Sequence, residues 1–175
     1  MSVLLFLVVL FPTSQKVEMY NLVLPDVPMN QRRLVVDLKK RALFVCRSDK
    51  PIFVFKKGKV VENHFWDEDV EVLGECRISA GNRWTPTPVG YFLGIKQGLG
   101  AALPRLGGGP LHNVIRFEPV GLGHHLIHAY DNVPLGRNAS SGCVRMLEQD
   151  SDVLFDWVPK RIPIYSVPTT LPDPW

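Results

Sequence analysis

The sequence is poor in cysteine, has no apolar run long enough to cross a membrane and carries little excess charge. Three cysteines in 175 residues are too few for a disulfide scaffold. The apolar run near the N-terminus covers residues 3–11, whereas a membrane-spanning helix needs about 20 apolar residues. A formal net charge of +3 is too small to indicate a nucleic-acid partner, which usually requires a clustered basic stripe. We therefore expect no nucleic-acid ligand and no membrane span in the mature chain.

The composition is that of an ordinary globular protein. Hydrophobic residues make up 46% and charged residues 21% of a chain whose length suits one domain with one sizeable core. Fifteen prolines and 14 glycines favour many turns and therefore strands. The cysteine count is odd, and the unpaired cysteine can be a free reactive thiol.

The apolar segment at the N-terminus has two interpretations. Its nine residues fit the 7–15 of a signal-peptide core, although no Lys or Arg precedes it and residues 12–15 only loosely resemble a cleavage site. The alternative is a buried first strand. We set residues 1–15 apart as a candidate signal segment, with residues 16–175 as a single domain, and expect an exported protein of the cell envelope, periplasm or exterior.

Short runs of β-branched and aromatic residues, separated by turn residues, predict many strands. The predicted strands are 34–38, 42–45, 51–55, 60–61, 70–73, 76–79, 90–95, 113–117, 125–128 and 162–167. Residues 57–59 predict a hairpin turn, and the Gly- and Pro-rich residues 97–110 predict a surface loop. A helix is predicted from residues 150–152, which supply acidic and capping groups, to Val158, and Pro159 ends it. The fold class is therefore mainly β, as a β-sandwich or partly closed barrel with one or two short helices.

Residues 128–146 carry the pattern that points to chemistry. A histidine, His128, ends an apolar strand, and a polar loop then leads to Gly142 and Cys143. Nucleophilic cysteine chemistry needs a thiolate, a base and donors for an oxyanion. Cys143 can be the nucleophile and His128 the base, while backbone N–H groups near Gly142 can bind the oxyanion. Arg145 lies on the same side of a strand as Cys143, where it can lower the thiol pKa or bind a substrate carboxylate.

Two other interpretations of these residue types stay open at this point. Unmodified cysteines are often simply buried, so Cys143 and a distant histidine can belong to the core. Four histidines within 17 residues also suggest a metal site, although no carboxylate or cysteine completes a ligand pattern nearby. These histidines are His112, His124, His125 and His128.

The wider sequence resembles the L,D-transpeptidase (YkuD-like) catalytic domain family. The family pattern is a histidine on a strand, a loop of about a dozen residues, and Ser/Thr-His-Gly-Cys-hydrophobic-Arg/Asn. The matching residues are His128, Ser140, Gly142, Cys143, Val144 and Arg145. Further blocks match in the family's order, namely residues 34–45, 78–92 and 148–167. The resemblance covers about residues 33–167.

The resemblance implies acyl transfer on peptidoglycan stem peptides. Cys143 would attack the carbonyl of the third residue of a tetrapeptide, release D-alanine and form a thioester. The backbone carbonyl of Ala129 would orient His128, and the Gly142 N–H would bind the oxyanion. Ser141 stands where the family has a histidine, so an imidazole that would support the thiolate or the leaving group is missing. Ser140, Tyr130, Trp84 and Arg145 are the candidate substrate-binding residues.

Three functions fit this resemblance. The first is a wall-crosslinking transpeptidase, active in cell-wall biogenesis and cell shape. The second is a carboxypeptidase or endopeptidase that hydrolyses peptidoglycan on the same fold, and the third is a non-catalytic wall-binding homologue. For an enzyme, the resemblance implies no cofactor and no metal, acylation by carbapenem-type inhibitors, and a monomer.

If Cys143 must stay a thiol, the other two cysteines are left as a candidate pair. Cys46 and Cys76 could form a disulfide between early strands in an exported protein.

Overall fold

A computed structural model of the protein describes residues 22–97, 111–119, 125–130 and 134–168. Within these ranges it contains twelve strands and one α-helix. The strands are β1 (Arg32–Asp37), β2 (Ala42–Ser48), β3 (Phe53–Lys56), β4 (Lys59–Asn63), β5 (Val70–Arg77), β6 (Ala80–Gly81), β7 (Gly90–Lys96), β8 (Ile115–Glu118), β9 (Leu126–Ala129), β10 (Asn138–Ser140), β11 (Val144–Met146) and β12 (Arg161–Val167). The helix α1 is Glu148–Trp157, and a short 3₁₀ turn covers Met29–Gln31.

Some sequence predictions concern residues outside the described part of the chain. The candidate signal segment, residues 1–15, lies outside it, as do His124 and nearly all of the predicted loop at 97–110.

The main sheet has eight strands in the order β11-β9-β8-β7-β12-β1-β2-β5. The β1–β12 and β9–β11 pairs are parallel and the other neighbours are antiparallel. The two edges approach each other just beyond β5, where Ser79 and Arg145 exchange two backbone N–H···O hydrogen bonds of 2.8 Å each. The sheet therefore curls into a nearly closed barrel, and the predicted mainly β fold class is confirmed.

The strands at the centre of the sheet are buried on both faces, which explains their almost unbroken apolar sequence. In β1, Leu34 and Val36 pack on one face with Leu154 and Trp157 of α1. Val35 packs on the other face, against residues of the β3–β4 hairpin region. One helix and one hairpin thus cover opposite faces of the same sheet.

Two predicted elements differ from the structure. The predicted strands at 70–73 and 76–79 are largely one strand, β5, because Gly74 stays paired with Val45 and the neighbouring Leu73 is taken up as a β-bulge in β5. The helix begins at Glu148 rather than at Asp150. The Asp150 carboxylate does not cap the helix, because it lies inside the first turn and accepts the backbone N–H of Leu22 at 3.3 Å.

Two described strands that the sequence did not predict are the short β6 and β10, which pair with each other in parallel. They have two and three residues, and β10 is mostly exposed. Such short segments carry too few alternating residues for a strand pattern.

In the described part of the chain, no helix has the length and apolar character needed to cross a membrane.

Candidate active site

The parallel pairing of β9 with β11 brings the predicted residues onto one face of the sheet. Val144 is opposite Ile127, and both pack into the main core. Side chains alternate along a strand, so Cys143, Arg145 and His128 belong to the other face. Arg145 is directly opposite His128, and Cys143 comes two residues earlier on the same face. Strand register therefore joins residues that are 15 positions apart in the sequence.

The turn before Cys143 is fixed by side-chain hydroxyls. Gly142 has a φ of +109°, a conformation that a side chain would strain. The Ser140 Oγ donates to the carbonyl of Cys143 at 2.5 Å and accepts the Gly142 N–H at 3.1 Å. The Thr87 Oγ1 donates to the carbonyl of Gly142 at 3.0 Å and accepts the Gly81 N–H at 2.9 Å. Thr87 thus holds the Gly142–Cys143 peptide at its carbonyl, and Ser140 holds the peptides on either side of it.

These contacts bear on two of the assignments made from the sequence, which stay predictions. Ser140 is buried, and its hydroxyl bonds within the turn rather than facing a substrate groove. The Gly142 N–H, assigned above to the oxyanion, already donates to Ser140 in this structure. The reason in both cases is that the left-handed turn folds the chain back onto the Ser140 hydroxyl.

The Cys143 thiol lies in a small apolar cluster. Its side chain packs with Val114 and Leu126, and the residue is 5% exposed. Burial raises the pKa of the Cys143 thiol above its ordinary value, while a hydrogen bond with the Leu126 backbone and the charge of Arg145 act in the opposite direction. The net effect is a thiol that is neutral at neutral pH.

The His128 ring is buried and its tautomer follows from its partner. Its Nδ1 is 2.7 Å from the carbonyl oxygen of Ala129. A carbonyl only accepts, so Nδ1 carries the proton and Nε2 of the neutral ring has a lone pair. Nε2 is buried with no hydrogen-bond partner among the described residues. Burial, and secondarily the charge of Arg145, lower the pKa of His128, so the ring is neutral at pH 7 and can accept a proton.

Arg145 and Tyr130 form the more exposed side of this face. The guanidinium carbon of Arg145 lies 4.5 Å from the centre of the Tyr130 ring, a cation–π contact. The Tyr130 ring also stands edge-on to His128, with the ring centres 6.2 Å apart. The Nε of Arg145 is buried without a partner among the described residues, so the guanidinium keeps hydrogen-bonding capacity for an anionic group.

Trp84 lies on a turn that borders the Gly142 loop. The Asn82 side chain holds this turn by accepting the backbone N–H groups of Trp84 and Thr85. The carbonyl oxygen of Thr85 is 3.6 Å from the position that a Cβ on Gly142 would occupy. Trp84 itself is 78% exposed, with the Arg83 guanidinium over its ring. The indole of Trp84 is thus exposed beside the Gly142 loop.

Sequence reasoning missed the supporting residues around the turn. Thr87 was included only within the matching block of residues 78–92, and His125 was considered only as a candidate metal ligand. The Nδ1 of His125 is 3.3 Å from the carbonyl of Gly142. That contact joins residues 17 positions apart, and no local pattern reveals it.

No metal centre is assembled in the described part of the chain. Within residues 22–97, 111–119, 125–130 and 134–168, no three His, Cys, Asp or Glu side chains form a group that could hold an ion.

Comparison with protein families gives a match over most of the chain. The family model YkuD, the L,D-transpeptidase catalytic domain, matches residues 31–165. No curated protein matches this chain.

Several solved structures with a similar fold are L,D-transpeptidases. One from Mycobacterium smegmatis is 20% identical, with a TM-score of 0.54 over 78% of this chain and 58% of its own. The L,D-transpeptidase LdtMt1 in complex with imipenem is 20% identical, with a TM-score of 0.55 over 78% of this chain and 59% of its own. L,D-transpeptidase 3 from Mycobacterium tuberculosis, in complex with a faropenem-derived adduct, is 17% identical, with a TM-score of 0.53 over 78% and 60%. The present chain spans less than two thirds of each, and the likeness establishes the fold.

Proposed function

Because this chain belongs to the YkuD family of L,D-transpeptidase catalytic domains, we propose that it is an L,D-transpeptidase with Cys143 as nucleophile and His128 as base. The observation that carries the proposal is the neutral, buried His128 ring, whose Nε2 lone pair has no described partner and which shares a face with Cys143. A buried acceptor without a partner costs folding free energy, and titratable groups perturbed in this way concentrate at functional sites.

The first half of the reaction forms a thioester. The sulfur of Cys143 attacks the carbonyl carbon of the third residue of a tetrapeptide stem, and the thiol proton passes to Nε2 of His128. The carbonyl electron pair moves onto oxygen, where backbone N–H groups of the Cys143 turn stabilise it. When the oxyanion collapses, the C–N bond breaks and His128 gives its proton to the departing amine of D-alanine.

The second half regenerates the thiol. The amine of a second stem peptide attacks the thioester carbon, and His128 again takes the proton of the nucleophile. The C–S bond then breaks, the sulfur leaves as thiolate and recovers its proton from His128. If water attacks instead, the same sequence gives a tripeptide, so the identity of the acceptor separates a transpeptidase from a hydrolase.

The polar residues at the rim supply substrate recognition. Arg145 carries a positive charge and an unpartnered buried Nε, which suits a carboxylate of the stem peptide. Tyr130 and Trp84 are 44% and 78% exposed and offer aromatic faces to the same ligand. No cofactor is needed, because the thiol, the imidazole and backbone donors complete both steps. Such a protein would act as a monomer on peptidoglycan in the cell envelope, and carbapenems would acylate Cys143.

The experiment is incubation of the full chain with disaccharide-tetrapeptides, with the products resolved by mass spectrometry. We expect release of D-alanine together with crosslinked dimers. Cys143→Ala should lose both products, because the residual chemistry without the nucleophile is orders of magnitude slower. Cys46→Ala, which removes a buried thiol from a separate apolar cluster, is the matched control and should keep them.

The products also decide between the alternatives. Tripeptide monomers without dimers would replace the transpeptidase by a hydrolase. Continued release of D-alanine by Cys143→Ala would place the nucleophile elsewhere. An inactive wild-type chain that is folded would refute the enzymatic proposal.

A further inference from the structure

A second imidazole lies against the nucleophile turn. An ideal Cβ on Gly142 would be 2.7 Å from Nδ1 and 2.8 Å from Cε1 of His125. The His125 ring therefore fills the space that a side chain at position 142 would need. Its backbone is anchored at the start of β9, where the Phe117 N–H donates to the His125 carbonyl at 3.0 Å.

The hydrogen bond between His125 and Gly142 has a defined direction. The carbonyl of Gly142 can only accept, so the Nδ1 of His125, 3.3 Å away, must be the donor. The same carbonyl accepts the Thr87 hydroxyl at 3.0 Å. Two donors thus converge on the carbonyl of one peptide group, the one that contains the Cys143 N–H.

Donors on a carbonyl strengthen the N–H of the same amide. Hydrogen bonds in series polarise one another, and the effect is larger in a poorly solvated site. In acyl transfer the N–H of the nucleophilic residue is a common oxyanion donor. The contacts to the Gly142 carbonyl therefore orient and polarise the amide on which the oxyanion would depend.

His125 and His128 have different surroundings and suit different tasks. The His128 ring is buried. Its Nδ1 is hydrogen-bonded, and its Nε2 has no partner among the described residues. His125 is half-buried and uses Nδ1 as a donor toward the turn. Ser141, where the family pattern has a histidine, is exposed, so the imidazole next to this turn comes from the neighbouring strand instead.

We propose that His125 is a positioning residue, which donates from Nδ1 to the carbonyl of Gly142 and so aligns the Gly142–Cys143 amide for the oxyanion of the acylation step. This inference rests on the proposed function, because it assumes that Cys143 is acylated. We therefore expect His125 to raise the rate of acylation and to have little effect on ligand binding before the reaction.

The test is the kinetics of Cys143 acylation by imipenem in the full chain, followed by intact mass and by loss of the drug's absorbance. Cys143 attacks the β-lactam carbonyl, the ring C–N bond opens and the ring nitrogen takes the proton. We expect His125→Leu to lower the first-order acylation rate constant about 10-fold, below the 10²–10³ typical of a direct oxyanion donor. The dissociation constant of the preceding complex should change less than twofold.

A matched pair of amides makes the test specific. The Asn side-chain nitrogen occupies about the place of Nδ1, and that of Gln about the place of Nε2. His125→Asn should therefore retain most of the acylation rate, whereas His125→Gln should fall with His125→Leu. His64→Leu, on the β3–β4 hairpin region far from this turn in the chain, is the control for loss of a histidine and should match the wild type.

The outcomes separate the two proposals. If the wild-type chain is not acylated at Cys143, the proposed function fails. If the wild type is acylated and His125→Leu reacts equally fast, the inference about His125 fails alone. Equal rates for His125→Asn and His125→Gln, with both variants folded by circular dichroism, would also overturn it. This amide comparison still decides the question if His125→Leu does not fold.

Discussion

The resting proton arrangement of the site is set by burial at two residues. Burial raises the pKa of the Cys143 thiol and lowers that of the His128 imidazolium, because both charged forms lose solvation. The pair therefore rests as neutral thiol and neutral imidazole rather than as an ion pair. In the proposed mechanism the proton then moves only as the sulfur–carbon bond forms, in the manner of general-base catalysis.

This arrangement predicts the pH dependence of acylation. A lowered pKa means that His128 stays unprotonated below its ordinary value of 6.5 and gains a proton only at more acidic pH. The imipenem acylation rate should therefore hold as the pH falls to 6.5 and decline only below it. Stopped-flow rates from acid to mildly alkaline pH provide the measurement.

The appropriate control for this profile is His128→Gln. It should react far more slowly and lose the acid limb, since no imidazole remains to be protonated at that position. A wild-type acid limb centred at or above the ordinary histidine value would contradict the assignment of His128 as a buried neutral base.

At the scale of the elements, close packing between strands limits the size of the side chain that β7 can have at position 94. Gly94 lies in the middle of β7 between β8 and β12, opposite Phe117 and Ile162. A Cβ placed there would lie 2.6 Å from Cδ1 of Ile164 and 2.9 Å from Cγ2 of Ile162. These distances are shorter than van der Waals contact, so the glycine is required by its neighbours across the sheet.

Gly94→Ala should therefore destabilise the fold by overpacking. We expect a loss of about 1–3 kcal/mol in the free energy of unfolding, measured by the midpoint of a denaturant titration. Ile164→Val removes the Cδ1 that the new methyl would meet, so in the double variant part of the loss should be recovered. Strictly additive effects of the two substitutions would show that the contact does not determine the cost.

The boundaries of the elements show where local patterns stop being informative. Gly74 between apolar segments predicts a break, yet β5 continues because β2 provides a continuous partner and β5 takes up its extra residue in a bulge. The acidic residues in the first turn of α1 predict that the helix begins at Asp150. It begins instead at Glu148, and Asp150 binds the Leu22 backbone. In both cases a partner distant in sequence determines the element.

At the scale of the whole molecule, the sheet separates two apolar layers and with them the cysteines. Cys46 packs in the layer under the β3–β4 hairpin region, and Cys76 in the layer under α1. They lie on adjacent strands, but Cys76 is opposite Leu43 and Cys46 is opposite Val72. The disulfide considered from the sequence is therefore wrong, because the two side chains point to opposite faces of the sheet.

Cys46 and Cys76 should both remain thiols even after oxidative treatment. Cys46 and Cys76 are buried thiols whose pKa values burial raises well above the usual range, so they are also poor nucleophiles. After exposure to oxidised glutathione, an adduct is expected only on Cys143. When the protein is then denatured, an alkylating reagent should modify both Cys46 and Cys76. Peptide mass mapping provides the measurement. A crosslinked peptide joining residues 46 and 76 would contradict the two-layer arrangement.

The sequence by itself determined the β class and most strand positions. It also singled out one cysteine as the candidate nucleophile and one histidine as the candidate base. These features depend on alternation, turn residues and a spaced motif, all of which are local in the chain. The fold class and the family agree with the structure and the comparisons, whereas the roles of Cys143, His128, Arg145, Tyr130 and Trp84 stay predictions.

Only the tertiary structure decided which groups surround the nucleophile turn. It engages the Gly142 N–H with Ser140, directs Thr87 and His125 to the Gly142 carbonyl, and separates Cys46 from Cys76. The physical reason is strand register: a shift of one residue moves every side chain to the other face of a sheet. Register is set by the packing of the whole core, and a short sequence pattern does not contain it.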